Sequence, residues 1–343
     1  MRNPFSLDFG AVPNLYIRRT EESNRIISTF QEENPSSHMY IIMGARGTGK
    51  TVLMTSIAHT LRDEDKWIHI DLNGEVDILN TMAAKLQESV KNRPKLKADI
   101  KVKGMGVSLE QDAGYRDVQV DLDKILSALE KKGMRILVTI DEVVNSDNVR
   151  VFTTYFQHCL REEYPVFLVM TGLFKNVRAL QNNRSQTFLR RSPKIVLTAL
   201  NNRRIINAYM EAFNVSEDEA SQMANCTKGY SYAFQILGYL ISESGGTSLT
   251  QSIINEYRAI LEEASYEKIW EELSPGERQV LIAATKLDAP TNKDVREILG
   301  IDANTISTYK DTLEKSGIIS SSSGYGHIDF ELPFFKEFVV ANS

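Results

Sequence analysis

Residues 44–51 read Gly-Ala-Arg-Gly-Thr-Gly-Lys-Thr and lie between an apolar run, 39–43, and a second apolar run with helical spacing, 52–61. The segment matches the G-x-x-x-x-G-K-[ST] pattern at every fixed position, in the order strand, loop and helix that the pattern requires. Its glycines allow backbone N–H groups to turn inward around phosphate groups without a Cβ clash. We therefore predict that this segment, the phosphate loop, binds a triphosphate.

Side chains in and near the loop complete the predicted nucleotide site. Lys50 supplies positive charge at the β- and γ-phosphates, Thr51 supplies a hydroxyl for Mg²⁺, and the helix N-terminus supplies a favourable dipole. Upstream, Tyr16 and Ile17 either pack on the adenine ring or are core residues. The predicted nucleotide-binding residues are Gly44, Ala45, Arg46, Gly47, Thr48, Gly49, Lys50, Thr51, Val52, Tyr16 and Ile17.

A second motif is the pair Asp141-Glu142, which directly follows 136–140, a run expected to form a buried strand. Parallel strands carry functional side chains at their carboxyl ends, beside the phosphate loop. Asp141 is therefore a candidate to hold Mg²⁺ through water, and Glu142 is a candidate general base that polarises the attacking water. A strand that ends in Asp-Glu is a weak signal alone, and the phosphate loop upstream makes it specific.

Two later features are candidates for contact with phosphate. Thr171 ends a fourth strand, where its hydroxyl is suited to sensing the γ-phosphate, to placing water, or to capping the next helix. The window 164–210 holds eight basic residues and no acid, as expected of a surface that meets nucleic acid, a neighbouring subunit's nucleotide, or acidic side chains. In that window Arg190 and Arg191 precede a fifth strand and are candidates to stabilise transferring phosphate across an interface.

The composition is that of a folded protein. The chain has 343 residues, 42% hydrophobic and 25% charged, which allows two or three domains. A net charge of −5 argues against a protein that is basic overall, so any nucleic-acid contact needs a local patch. Two cysteines outside any C-x-x-C pair, and no apolar stretch near ~18 residues, favour a soluble, cytoplasmic protein with no membrane partner.

Changes in hydrophobic periodicity, in charge and in glycine and proline content divide the chain into predicted parts. A short helix, which Thr20 is expected to cap, ends before Pro35. A stretch with six bases and one acid, 91–103, leads into a glycine-containing insertion that is expected to be a hairpin. It is either a solvated loop or a contact with nucleic acid or a partner. The predicted parts are an adenine-side segment at 1–37, a phosphate-loop core at 38–198 with an insertion near 94–116, a helical lid at 199–272, and a winged helix-turn-helix at 273–343.

The last seventy residues have the element order of a winged helix-turn-helix, namely three helices and a two-strand wing. Their seven basic and ten acidic residues are an unusual balance for a DNA reader, so a protein contact or a structural role stays open. The third helix is expected to turn Ile306, Tyr309 and Leu313 to the core and Asn304, Thr305, Thr308 and Lys310 outward.

Taken together, these motifs resemble the AAA+ ATPases, in particular the group that unites origin-recognition and cell-division-control initiators with archaeal-type and STAND-related ATPases. The resemblance is specific at 44–51 and 136–142 and looser over the rest of the chain. It implies an α/β fold with a parallel-sheet core, a helical lid and a winged helix, with ATP and Mg²⁺ as ligands. The segment 14–22 is similar to the family's adenine-side box, with Arg19 where glycine is usual, and Arg190 and Arg191 lie where the family carries its arginine finger.

The chain also departs from that family. Thr171 replaces the asparagine that many members use as a first sensor, and 229–235 lacks the arginine that often serves as a second sensor. Slow hydrolysis or an ATP-binding switch is expected on this ground.

Fold resemblance does not assign a process, so two hypotheses stand. The first is an ATP-dependent switch that binds double-stranded DNA through 175–204, 91–103 and the winged helix. The second is a STAND-type signalling or defence ATPase whose winged helix contacts protein. A homo-oligomer or a protein partner is expected under either hypothesis.

Overall fold

The central element is a five-stranded parallel sheet with strand order β2-β3-β4-β1-β5. The structure, a computed structural model, describes residues 3–8, 10, 12–93, 96 and 118–343. The inner strands are buried along almost their whole length, because apolar runs without alternation suit a parallel sheet covered on both faces. The strands are β1 (Met39–Met43), β2 (Trp67–Leu72), β3 (Arg135–Ile140), β4 (Val166–Gly172) and β5 (Lys194–Val196).

Strand register places the predicted motifs together. Ile42 pairs with Thr171 and Met43 with Gly172, so β4 ends beside the start of the phosphate loop. Ile140 pairs with Met170 on the other side of β4, which brings Asp141 next to Thr171. The predicted α/β fold with a parallel-sheet core is confirmed.

Helices cover both faces of the sheet, each with its own hydrophobic cluster. Thr20–Gln31 and Lys50–Arg62 pack on one face, and the opposite face is covered mainly by Ile78–Lys91, Val118–Glu130 and Asp147–Arg161. The helix Phe174–Asn182 and the 3₁₀ segment Arg184–Arg190 precede β5. Among the described residues, none of these or the later helices has the length and apolar character needed to cross a membrane.

The second half of the chain is mainly helical. The helices that we call the lid are Asn202–Phe213, Glu217–Thr227, Ser231–Glu243 and a continuous run made of Gln251–Leu261, a π-helical turn Glu262–Tyr266 and Glu267–Glu272. The C-terminal helical region contains Pro275–Thr285, Asn292–Leu299, Ala303–Lys315, strands β6 (Ile319–Ser320) and β7 (Asp329–Phe330), and Phe335–Ala341.

One hydrophobic cluster runs through the lid and the C-terminal helical region. Phe5 of the N-terminal segment belongs to it, and its ring lies so close to Gly238 that a Cβ there would come within 2.4 Å of the ring. The glycine at 238 is therefore needed for the N-terminal segment to pack on the lid helix. The domain boundaries drawn from the sequence stay predictions.

Several local predictions were wrong or fall outside the described residues. Thr20 is the first residue of its helix, and Arg19 precedes it as the N-cap without a side-chain cap bond. Lys310 does not face outward: it is buried and pairs with Glu314 at 3.5 Å, because its long aliphatic stem covers apolar surface. The final helix, 335–341, was not predicted. The predicted hairpin at 94–116 lies, apart from residue 96, outside the described residues.

Candidate functional site

The phosphate loop connects β1 to the helix that begins at Lys50. Gly47 and Gly49 have φ values of 68° and 88°, a region that favours glycine. A Cβ on Gly44 would lie 2.7 Å from the Thr48 hydroxyl and 3.1 Å from the Leu197 carbonyl oxygen, which leaves no room for a side chain. The three glycines are thus explained by backbone geometry and by close packing.

Lys50 is buried within the loop. Its ammonium donates to the carbonyl oxygens of Gly44 at 3.1 Å and Ala45 at 2.7 Å, and its side chain is 8% exposed. Burial lowers the pKa of Lys50 to about 8, although the nearby carboxylates of Glu142 and Asp141 raise it. A buried cation held by neutral carbonyls lacks a full counter-charge, so the site favours an incoming anion.

Thr51 and Asp141 meet, although they are far apart in the sequence. The Thr51 hydroxyl donates to Asp141 Oδ2 at 2.7 Å, and the Thr171 hydroxyl donates to Asp141 Oδ1. Thr171 does not cap the following helix, because Leu173 is its N-cap. The Thr171 side chain is fully buried and fixes the carboxylate of Asp141 beside the loop.

The backbone of Glu142 is strained, and most of its side chain is exposed. Its φ of 48° is unusual for a residue other than glycine, and such strain concentrates at functional sites. Its N–H donates to Asp141 Oδ1 at 3.0 Å and to the Thr171 hydroxyl at 3.1 Å, which accounts for the conformation. The side chain is 68% exposed and lies 3.5 Å from the guanidinium of Arg46.

Arg46 connects this carboxylate to the C-terminal half of the chain. Its Nε and Nη2 donate to one oxygen of Glu272 at 3.0 and 2.6 Å, and Lys175 Nζ donates to the Glu272 carbonyl oxygen at 2.7 Å. The phosphate loop, the candidate base and the end of the lid run therefore share one network of charges.

A cavity of about 590 Å³ opens beside the loop. Predicted residues from Arg46 to Val52 line it, together with Tyr16, Ile17 and Glu142. Gly44 and Ala45 instead line a smaller neighbouring cavity against the C-terminal region. The large cavity is lined by apolar side chains, by Lys50 and by the backbone of the phosphate loop, a combination that suits a nucleotide.

Residues 16–229, more than half of the chain, match a family described as an ATPase domain predominantly from Archaea. The chain belongs to this family. The match includes the phosphate loop, Asp141, Glu142 and the start of the lid, so the protein is an ATPase that binds nucleotide. Residues 263–339 match a domain of unknown function, DUF8462. A search of curated proteins found no match.

Solved structures show the same fold at low sequence identity. The Walker-type ATPase PABY2304 of Pyrococcus abyssi has a TM-score of 0.67 and 14% identity, covering 95% of this chain and 96% of that one. The Aeropyrum pernix ORC2 protein, in ADPNP–ADP complexes, has a TM-score of 0.59 and 13% identity, covering 98% and 97%. The Pyrobaculum aerophilum Cdc6p has a TM-score of 0.51 and 15% identity, covering 98% and 96%. These likenesses match the resemblance to the initiator group.

Arg190 and Arg191 lie apart from the cavity of the ATPase. Both are exposed, and neither lines the cavity. Arg190 donates to the Gln181 carbonyl oxygen at 3.1 Å and to Asn182 Oδ1 at 2.9 Å. A role for either arginine toward phosphate therefore needs a second subunit or a nucleic acid, and stays a prediction.

Sequence reasoning missed several residues that contact the loop. Arg19 donates to the carbonyl oxygens of Thr198 at 2.6 Å and Thr48 at 3.3 Å, and it lines the cavity. Tyr230 and Ser231 bond to the loop from the lid. The sequence does mark a turn here, because Gly229, with a φ of 75°, directly precedes the two residues. It does not show that they contact the loop, because that contact depends on tertiary packing.

The pKa of Lys50 predicts how ATP affinity depends on pH. The free ATPase loses the Lys50 proton as pH rises through about 8, whereas bound phosphate favours the charged form, so binding takes up a proton. Affinity for ATP is therefore expected to fall about tenfold from pH 7 to pH 9. Calorimetric titration at both pH values measures this change, with AMP, which lacks the β- and γ-phosphates, as the control. An ATP affinity that is equal at both values would contradict the assignment of Lys50.

Proposed function

We propose that this ATPase is a nucleotide-dependent switch that holds Mg²⁺–ATP between the phosphate loop and the lid and hydrolyses it with Glu142 as general base. The proposal rests on one cavity that Lys50, Thr51 and Glu142 line together with lid residues, and on Asp141, which accepts a hydrogen bond from the Thr51 hydroxyl beside that cavity. In the related fold of the Aeropyrum pernix ORC2 protein, ADPNP and ADP are the bound ligands.

Each side chain has a separate proposed task. Lys50 neutralises the β- and γ-phosphates, and Glu142 accepts the proton of the attacking water. Thr51 and Asp141 offer the hard oxygen donors that Mg²⁺ prefers, and their oxygens lie 2.7 Å apart, so the pair fits this cation. When bound, Mg²⁺ neutralises charge on the phosphates. Thr171 orients Asp141 through its hydroxyl.

We further propose that the switch binds double-stranded DNA through a basic surface formed by Arg178, Arg184, Arg190 and Arg191. All four are exposed, and none of the described residues forms an ion pair with them. Guanidinium groups that have no acidic partner in the described part of an otherwise acidic protein are suited to phosphate. The same side chains also suit a neighbouring subunit's nucleotide, which makes a homo-oligomer the other outcome of the test.

The test measures duplex binding by fluorescence anisotropy and oligomer size by light scattering, each with and without ATP. Wild type is expected to bind DNA with an affinity that falls steeply with salt, and alanine at all four arginines is expected to lower the salt slope by about three to four. The matched control replaces four exposed cations elsewhere on the core, namely Arg25, Arg62, Lys85 and Lys131. No DNA binding by wild type at low salt would exclude the DNA proposal.

A second candidate function, protein contact without DNA, is favoured by the C-terminal helical region. In the helix Ala303–Lys315, whose polar side chains the sequence predicted to point outward, the two lysines are engaged: Lys310 is buried, and Lys315 pairs with Asp311 at 2.6 Å. That helix therefore offers little free positive charge to a phosphate backbone. ATP-dependent assembly in the light-scattering experiment, with no DNA affinity, would support this candidate.

A further inference from the structure

We propose that Tyr230 and Ser231 are positioning residues for ATP binding, because they hold the carbonyl groups of the phosphate loop toward the lid and so turn its N–H groups toward the phosphates. This inference rests on the proposed nucleotide site. It gives the hydroxyl groups of these two lid residues a role in shaping the phosphate loop. Both residues lie in 229–235, the segment that lacks the second-sensor arginine.

Three successive lid residues bond to three successive carbonyl groups of the loop. The Tyr230 hydroxyl donates to the Arg46 carbonyl oxygen at 2.9 Å, and the Tyr232 N–H donates to that of Gly47 at 3.0 Å. The Ser231 hydroxyl donates to the Thr48 carbonyl oxygen at 3.1 Å. The lid thus bonds to every carbonyl group from residue 46 to residue 48, and Arg19 adds a longer bond of 3.3 Å to the Thr48 carbonyl oxygen.

Peptide planarity converts these bonds into an orientation of the donors. In a trans peptide, the C=O of one residue and the N–H of the next point in opposite directions. Carbonyl groups held toward the lid therefore direct the N–H groups of Gly47, Thr48 and Gly49 away from it. None of the described residues accepts a hydrogen bond from these three N–H groups, and all three residues line the cavity. Successive unpaired N–H groups of this kind form an anion-binding concavity.

On the lid side of this contact, burial and further hydrogen bonds hold Tyr230 and Gly229 in place. Tyr230 is buried, and its hydroxyl also meets the Ser265 hydroxyl at 2.8 Å, within the π-helical turn 262–266. Burial raises the pKa of Tyr230, so the hydroxyl remains a donor. Upstream, Gly229 accepts a bond from Leu200 N–H at 2.7 Å, and a Cβ on Gly229 would lie 2.8 Å from the Leu200 carbonyl oxygen.

The contact is also close on the loop side. A Cβ on Gly47 would lie 2.2 Å from the Tyr230 hydroxyl. Only glycine at 47 lets the tyrosine reach the Arg46 carbonyl group, so the loop and the lid are matched in shape as well as in hydrogen bonding.

The test compares Tyr230→Phe and Ser231→Ala with Tyr209→Phe. Tyr209 is equally buried, and its hydroxyl donates to the Phe234 carbonyl oxygen at 2.9 Å, so its loss removes a buried bond to the same lid helix without touching the loop. Calorimetric titrations use ATP, ADP and AMP. We expect the Kd values of ATP and ADP to rise about tenfold in Tyr230→Phe and Ser231→Ala, with a smaller change for AMP, and no change in Tyr209→Phe.

Conservative replacement gives a second readout. Ser231→Thr keeps the hydroxyl and is expected to restore ATP affinity to within about threefold of wild type. ATP affinities of Tyr230→Phe and Ser231→Ala equal to that of Tyr209→Phe would overturn the proposal, and so would equal losses for ATP and AMP. Ser231 is only half-buried, so Ser231→Ala keeps the test open if Tyr230→Phe fails to fold. A failure of the nucleotide site itself would appear separately, as normal ATP binding by Lys50→Ala.

Discussion

Lys50→Ala is expected to abolish ATP binding, with an increase in Kd of at least about a hundredfold. The Lys50 ammonium is the buried cation of the phosphate loop, and its hydrogen bonds within the described part of the chain go to two carbonyl oxygens of that loop. Charge-assisted bonds to phosphate contribute about 1.5–3 kcal/mol each, and alanine removes all that this side chain makes. Titration with a fluorescent ATP analogue and competition with ATP measure the loss.

The matched control for this variant is Lys310→Ala. Lys310 is also a buried lysine, and it pairs with Glu314 in the C-terminal helical region. Its removal tests whether the loss of any buried lysine weakens the fold enough to impair binding. A melting curve for each variant separates unfolding from loss of the site. Tight ATP binding by folded Lys50→Ala would remove the phosphate loop from the proposed function.

The parts of the fold that were predictable from sequence are those with local signals. The strands β1, β3 and β4 are apolar runs long enough to be buried, and the phosphate loop has its glycines at fixed spacings. The contact between Thr51 and Asp141 was predictable because the carboxyl ends of the strands in a parallel sheet all lie at the same sheet edge, and here only β4 separates β1 from β3. These inferences need only the sequence and the geometry of the sheet.

Other contacts depend on packing over long sequence separations. Nothing local to Arg46 indicates that it pairs with Glu272, and nothing local to Ser231 indicates that it bonds to Thr48. Lys310 was wrongly predicted to face solvent for the same reason. Its position in the helix pattern is polar, but neighbouring elements cover its aliphatic stem. Most of the site residues that sequence analysis missed are thus contributed by the lid and its continuation, and one more, Arg19, comes from the N-terminal segment.

Glu142→Gln is expected to preserve ATP binding and to lower the rate of hydrolysis by at least about a hundredfold. Glutamine has nearly the same shape, and its backbone N–H can keep the bonds to Asp141 and Thr171 that hold residue 142 at its positive φ. It cannot accept a proton from water, and general base catalysis contributes about a hundredfold to ten-thousandfold to a rate. Single-turnover hydrolysis of ATP measures the chemical step, and the titration that serves for Lys50→Ala measures binding.

Glu163→Gln is the matched control for this variant, because Glu163 is also a glutamate at positive φ, 58°, and is exposed. It follows the helix Asp147–Arg161 and does not line the cavity. If both variants hydrolyse ATP at the wild-type rate, Glu142 is not the base, and its strained backbone and its contact with Arg46 need another explanation. If only Glu142→Gln is slow and it still binds ATP, the carboxylate acts in the chemical step. The 3.5 Å contact with Arg46 then means that the base of the ATPase is in direct electrostatic contact with the network that includes Glu272.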